Sequence, residues 1–175
     1  MKYHYNLVLR VLIALIIRPE WIYYSLTWVT MIIPYAILSI FGYSVKIIYS
    51  TRSLFINGSE FVMIEACIAT SAYYLLILLI LTTKDIGFKK SISMLLLGSL
   101  LILLMNIFRI IFLILTVLKL GDNWFGIIHM TFWYFISSIY VFLVWILLIK
   151  KFNVHNIPIY SDAKYLINQI KKKRR

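Results

Sequence analysis

The stretch Ser91–Leu118 reads SISMLLLGSLLILLMNIFRIIFLILTVL. It is apolar for longer than the roughly 20 residues a helix needs to cross hydrocarbon, which predicts a membrane-spanning helix. Inside it stand two residues that hydrocarbon disfavours, Asn106 and Arg109. A permanent cation within such a run is a functional-site candidate by default.

The rest of the chain reads the same way. Its 175 residues are 63% hydrophobic with a mean hydropathy of +0.93. Soluble domains run nearer half apolar, and one small core cannot bury the excess, so the composition predicts an integral membrane protein. Aromatic residues at 17% fit this, because Trp and Tyr favour the membrane interface. Three further runs have spanning length: Trp21–Tyr43 with Pro34 inside it, Ile64–Thr83, and Phe125–Ile149. A shorter run, Tyr5–Ile17, carries Arg10 and reads either as a short tilted span or as an interfacial helix. It lacks the small-residue cleavage site of a signal peptide and is expected to be retained. Arg18-Pro19-Glu20 then interrupts the chain, and Pro19 suits the start of the next helix. The predicted fold is thus an all-α polytopic membrane protein: a bundle of four to five helices over residues 1–155, followed by a basic tail at 156–175. No internal repeat or second domain is legible.

Charge orients this bundle. The net charge is +12, and Arg18, Lys84, Lys89, Lys90, Lys150, Lys151, Lys164 and the run Lys171–Arg175 all fall on one side. The opposite loops hold Lys46, Arg52 and Lys119. By the positive-inside rule the rich side is cytoplasmic, with the C-terminus inside. The terminal run reads as an anchor on anionic lipid rather than a nucleic-acid contact, and Ser161 or Asp162 is placed to cap a short helix before it. One cysteine leaves no internal disulfide and no inference about redox compartment.

The long outer loop, Ser44–Met63, is not span-like. Ile47, Tyr49 and Ile56 alternate with polar neighbours in places, and Asn57-Gly58 is a strong two-residue hairpin signal. The loop reads either as a short extracytoplasmic β-hairpin over the bundle mouth, with an edge able to take an extended peptide, or as an ordinary surface loop. Asn57-Gly58-Ser59 also matches the three-residue glycosylation sequon, a weak signal.

This topology brings Cys67, Arg109 and His129 toward one face. Cys67 lies near the outer start of its span, Arg109 about 14 Å below the outer end of its own, and His129 about one turn into a span that starts outside. A thiol in apolar surroundings is a poor nucleophile alone, because burial disfavours the thiolate. A guanidinium stabilises the thiolate or an oxyanion, and an imidazole takes up the thiol proton and returns it to a leaving amine. The set suits acyl transfer. Each residue also has a structural reading: Cys67 as a small core residue, Arg109 as an ion-pair or carbonyl clamp between helices with Glu65 or Asp122 as candidate partners, His129 as an interface residue. Asn106, one turn before Arg109, either orients the guanidinium or bridges helices. Glu65 precedes Cys67 by two positions, so a helix points it elsewhere unless the span begins there. No His-Glu-x-x-His, Gly-x-Ser-Gly or Gly-x-Gly-Asp motif is present. Neither a metal nor an organic cofactor is expected, because Arg109 would repel a metal ion at this set.

Three short motifs in this order, Glu65-Ala66-Cys67 at one span start, Asn106-Ile107-Phe108-Arg109-Ile110 in the next and His129 opening a further one, resemble the exosortase/archaeosortase family. The resemblance covers Phe61–Leu148. It implies a polytopic cysteine transpeptidase, with Cys67 as nucleophile completed by Arg109 and His129. Its substrates would be secreted proteins ending in a short motif, a single transmembrane helix and a basic cluster. The new carboxyl terminus would pass to an acceptor, a lipid among the candidates. Many bacterial members are longer, with more spans. This chain is a minimal version, and its length and Ile/Lys-rich composition lean towards an archaeal or small dedicated form. The competing expectation is a non-enzymatic membrane protein, a transporter subunit or assembly factor, that uses Arg109 as an intramembrane counter-ion.

Overall fold

A computed structural model of the chain describes residues 16, 18–83 and 86–154. The basic tail at 156–175, the possible cap at Ser161 or Asp162, and nearly all of the short apolar run at 5–17 lie outside these residues. The described part is mostly helical and carries one small sheet.

Helix α1 spans Pro19–Ile40, with Pro19 in its first turn, Glu20 beside it and Pro34 in its interior. An acidic residue complements the positive end of the helix dipole there. Three strands follow, β1 (Val45–Ile48), β2 (Ser53–Ile56) and β3 (Ser59–Val62). They form an antiparallel sheet in the order β1-β2-β3. The loop is therefore a meander of three strands, where the sequence marks only one hairpin. Asn57 and Gly58 turn between β2 and β3 with φ of 47° and 96°. Positive φ at both central positions is the primed turn whose twist matches the strands.

The run 64–83 is divided. Helix α2 is a single turn, Glu65–Ile68, and α3 runs Thr70–Thr82. Between them Ala69 is left-handed at φ 59°, ψ 36°. Few non-glycine residues adopt this region, and apolar periodicity carries no sign of it. The 13 residues of α3 fall short of the spanning length expected of the whole run.

Helix α4, Phe88–Leu120, is the longest of the described helices and ends at Gly121 with φ 81°. Helix α5 (Asp122–Thr131), a π turn (Phe132–Ile136) and helix α6 (Ser137–Lys151) cover the expected run 125–149. The flanking residues Thr131 and Ser137 keep right-handed helical angles, so the backbone continues through the π turn. Of the described helices, α1 and α4 are long and apolar enough to cross a membrane.

Two clusters hold these elements together. At one end Tyr73, Leu76 and Ile80 of α3 pack with Met94 and Ile102 of α4 and with Val144, Trp145 and Leu148 of α6. Gly98 allows this approach, because a Cβ there would meet Leu76 at 2.7 Å and Leu148 at 2.9 Å. The Lys90 ammonium donates to the Asn153 carbonyl at the same end (3.4 Å). At the other end Met31 and Leu38 of α1, Leu54 and Ile56 of β2, Met63, Ile68, and Ile110 and Ile114 of α4 form the second cluster. The sheet is thereby fixed on α1 and α4, next to α2.

Candidate functional site

Cys67 sits on α2, a turn too short to be stable by itself, since helix nucleation is unfavourable until many bonds accumulate. Its neighbours supply the missing support. The Asn106 amide donates to the Cys67 carbonyl at 2.8 Å. The Arg109 guanidinium donates to the Ala66 carbonyl at 2.5 Å. These carbonyls belong to the end of a helix, where four acceptors have no intrahelical donor. The left-handed Ala69 breaks the ladder: α3 reaches back through the Thr70 hydroxyl, which donates to the Glu65 carbonyl at 3.0 Å, while the Ala66 and Cys67 carbonyls are met from α4. Ile68, fully buried, anchors the turn in the core. Just before it, the Tyr23 hydroxyl of α1 donates to the Met63 carbonyl at 2.9 Å.

Arg109 is 4% exposed and Asn106 3% exposed. The contacts of Arg109 are with neutral groups, the Ala66 carbonyl and, more weakly, the Ser137 hydroxyl at 3.5 Å. Its Nε and the Asn106 Oδ1 are buried without a hydrogen-bond partner. A buried cation held by neutral acceptors retains most of its field, because low-dielectric surroundings screen it little. That field acts on both Cys67 and His129.

His129 lies in the last turn of α5 and is half-buried. Ser137 follows eight residues later, beyond the π turn. At about 100° per residue eight positions rotate ~80° off a face, whereas seven return to within ~20°. A π turn absorbs one extra residue. The rod therefore presents both His129 and Ser137 towards α4. The Ser137 hydroxyl also donates to the Phe132 carbonyl inside the π turn (2.7 Å), and the Phe132 ring packs on Phe112 of α4 with centroids 5.6 Å apart.

Cys67 and His129 line the same cavity, of about 520 Å³. One wall is β3 and its continuation through Ile64; the opposite wall is apolar, from Ile110, Leu113, Ile114 and Val117 of α4. The Cys67 thiol donates to the Val62 carbonyl at the end of β3, with Sγ 3.9 Å from the oxygen. Arg109 is not on this cavity. It lines a second one of about 220 Å³ behind α2, with Ser71, Ser137 and Ser138. The three residues singled out in the sequence thus cluster, but as a thiol and imidazole facing one space and a guanidinium behind the turn that carries the thiol. Glu65 has an exposed side chain and lines neither cavity. Among the described residues no group of three or more His, Cys, Asp and Glu side chains is placed to hold a metal ion.

Sequence reasoning missed Ser137 and Tyr23; it offered a hairpin edge over the bundle mouth as one of two readings of the outer loop, without telling that β3 is the strand on the cavity. Ser137-Ser138 within an apolar run was the available signal for the first; the others depend on packing between distant segments.

Comparison with known protein families, curated proteins and solved structures finds nothing that matches the chain.

Proposed function

We propose that this is a multi-pass membrane enzyme, a cysteine transpeptidase or protease, that removes the C-terminal sorting tail of secreted proteins on the extracytoplasmic side. The observation that carries this reading is the cavity shared by Cys67 and His129, set beside a buried cation that fixes the thiol-bearing turn.

Support for the membrane part comes from the surface as well as from helix length. Ile92, Leu96, Leu100, Leu104, Phe108 and Phe112 form an exposed stripe on α4. From first to last it runs about 30 Å, the thickness of the hydrocarbon layer. Phe135, Ile139, Phe142 and Leu147 expose a similar stripe on the π turn and α6. An apolar surface of this extent suits lipid. On this reading α1, the α2–α3 pair, α4 and the α5–α6 rod form a four-helix bundle, with the 5–17 segment as a further span or interfacial helix. Lys89, Lys90, Lys150 and Lys151 mark the cytoplasmic end, and the sheet and cavity lie outside.

In the reaction, the Cys67 sulfur attacks a peptide carbonyl carbon and its proton passes to His129. A C–S bond forms; the C–N bond then breaks as His129 returns the proton to the leaving amine. The acyl group is left as a thioester on Cys67. Water or an acceptor nucleophile, a membrane lipid among the candidates, attacks this thioester and regenerates the thiol. Arg109 positions the Cys67 turn through the Ala66 carbonyl and supplies positive potential to the thiolate. Asn106 fixes the same turn through the Cys67 carbonyl. No metal, cofactor or nucleic acid enters this scheme. The resemblance of Glu65-Ala66-Cys67, Asn106 to Ile110 and His129 to the exosortase/archaeosortase pattern supports the assignment.

A second reading has its own observation. The direct bonds of Arg109 are those of a clamp between helices, so a non-enzymatic membrane protein that uses Arg109 as a counter-ion accounts for them too. Co-expression with secreted proteins of the same source that end in a motif, one span and a basic cluster separates the two. The transpeptidase reading expects tail loss by intact mass with the wild-type chain and none with an equally inserted Cys67→Ala variant. Equal processing by both removes Cys67 from the mechanism.

A further inference from the structure

We infer that the open edge of β3 binds the substrate as an added strand, taking a short extended segment of polypeptide by its main chain. This rests on the assignment of Cys67 as the nucleophile and specifies how a substrate reaches it.

In the sheet order β1-β2-β3, β3 pairs with β2 alone. Its register pairs Ser59 with Ile56 and Phe61 with Leu54. Across a two-residue turn the flanking pair exchanges both ladder bonds, and alternate pairs follow. Ser59 and Phe61 therefore direct N–H and C=O towards β2, as does Met63, whose N–H donates to the Arg52 carbonyl at 3.0 Å. Glu60 and Val62 direct theirs away from the sheet. The thiol contact to the Val62 carbonyl fits this direction.

This open edge forms a wall of the Cys67–His129 cavity. Glu60 and Val62 are both exposed, so a partner reaches them without displacing core residues. The opposite wall, from Ile110 to Val117, is apolar and accepts side chains that alternate along an extended peptide. The occupant is thus a segment of about four residues, with main-chain groups on β3 and an apolar side chain towards α4. β3 runs from the Asn57-Gly58 turn towards the Cys67 turn. A peptide parallel to it enters at the hairpin tip and brings a carbonyl to the thiol at its far end. Strand addition of this kind draws affinity from main-chain bonds and specificity from pockets for alternate side chains.

The test measures alkylation of Cys67 in the full-length chain, in membranes, by two probes: iodoacetamide and acetyl-tetra-alanine chloromethyl ketone. In the second, the thiolate displaces chloride and a thioether forms. Each peptidyl rate is divided by the iodoacetamide rate of the same protein. Strand addition predicts a peptidyl preference of roughly tenfold or more. N-methylation of the probe at successive residues should abolish the preference at alternate positions only. Val62→Pro, which removes an outward N–H and no bond to β2, should reduce it, while Val62→Ala keeps it. No preference, or a preference indifferent to the methylation position, overturns the proposal. A preference that fades as protein concentration rises assigns the edge to a second copy of the chain and overturns it too. A thiol inert to both probes removes the nucleophile assignment, and the proposal with it. Processing that depends on Cys67 without any peptidyl preference leaves that assignment standing and refutes strand addition alone.

Discussion

Replacing Asn106 with Ala isolates the support of the Cys67 turn from the chemistry of the site. The amide is 3% exposed and donates one bond of 2.8 Å to the Cys67 carbonyl. Removing it strands a buried acceptor, which costs about 1–3 kcal/mol. Part of that is offset, because the Asn106 Oδ1 is itself buried without a partner and disappears with the substitution. The net loss is about 1–2 kcal/mol. For a chain of this length each kcal/mol lowers Tm by about 2–4 °C, so the expected drop is about 2–8 °C in detergent. Leu104→Ala, on the exposed stripe of the same helix, is the control and should stay within about 0.5 kcal/mol of wild type. The assay pairs Tm with the rate of tail removal. Asn106→Ala should lower both, since a looser turn aims the thiol less well. A variant that keeps the wild-type Tm while losing processing would refute the support role and place Asn106 at the reacting atoms.

Four further outcomes follow from the same geometry. Gly98→Leu drives a side chain into Leu76 and Leu148 and should destabilise by about 1–3 kcal/mol, read as a Tm loss well beyond that of Gly98→Ala. His129→Gln removes the acid–base group from the cavity and should slow processing by about 10²–10⁴ while leaving Tm near wild type; a pH–rate profile identical to wild type would argue against a proton-transfer role. Gly58→Val forces a β-branched residue to φ 96° and should misalign β3, lowering processing more than iodoacetamide labelling of Cys67. In a Cys67→Ala background, Ser59→Cys should react with an impermeant maleimide on intact cells and Lys151→Cys only after permeabilisation; the reverse pattern would invert the bundle.

The elements that the sequence made legible are those set by local rules. Length and apolarity marked α1 and α4, and Asn57-Gly58 marked the turn between β2 and β3. The break at Ala69 was not legible, because the residue has no intrinsic preference for a left-handed conformation, and the bonds from α4 that support the turn before it go to the Ala66 and Cys67 carbonyls. The π turn was equally hidden: Phe132–Ile136 is as apolar as its flanks, and its register shift matters only once α4 is in place. At the site, residue type and depth in the predicted spans pointed to Cys67, Asn106, Arg109 and His129. They did not separate the residues on the main cavity from the one behind it, since that depends on side-chain direction. Arg109 was read as a partner of the thiolate or as an ion-pair or carbonyl clamp between helices; its bond to the Ala66 carbonyl is the carbonyl form of that clamp, and which carbonyl it meets depends on packing between distant segments.

The central claim is that Cys67 carries the acyl group of the substrate. The most direct measurement is the intact mass of the chain isolated during processing, before and after hydroxylamine, which cleaves thioesters. The account predicts an adduct on Cys67 with the mass of the substrate fragment that precedes the cut, released by hydroxylamine and missing in Cys67→Ala. Tail removal with Cys67 unmodified at every time point would contradict it.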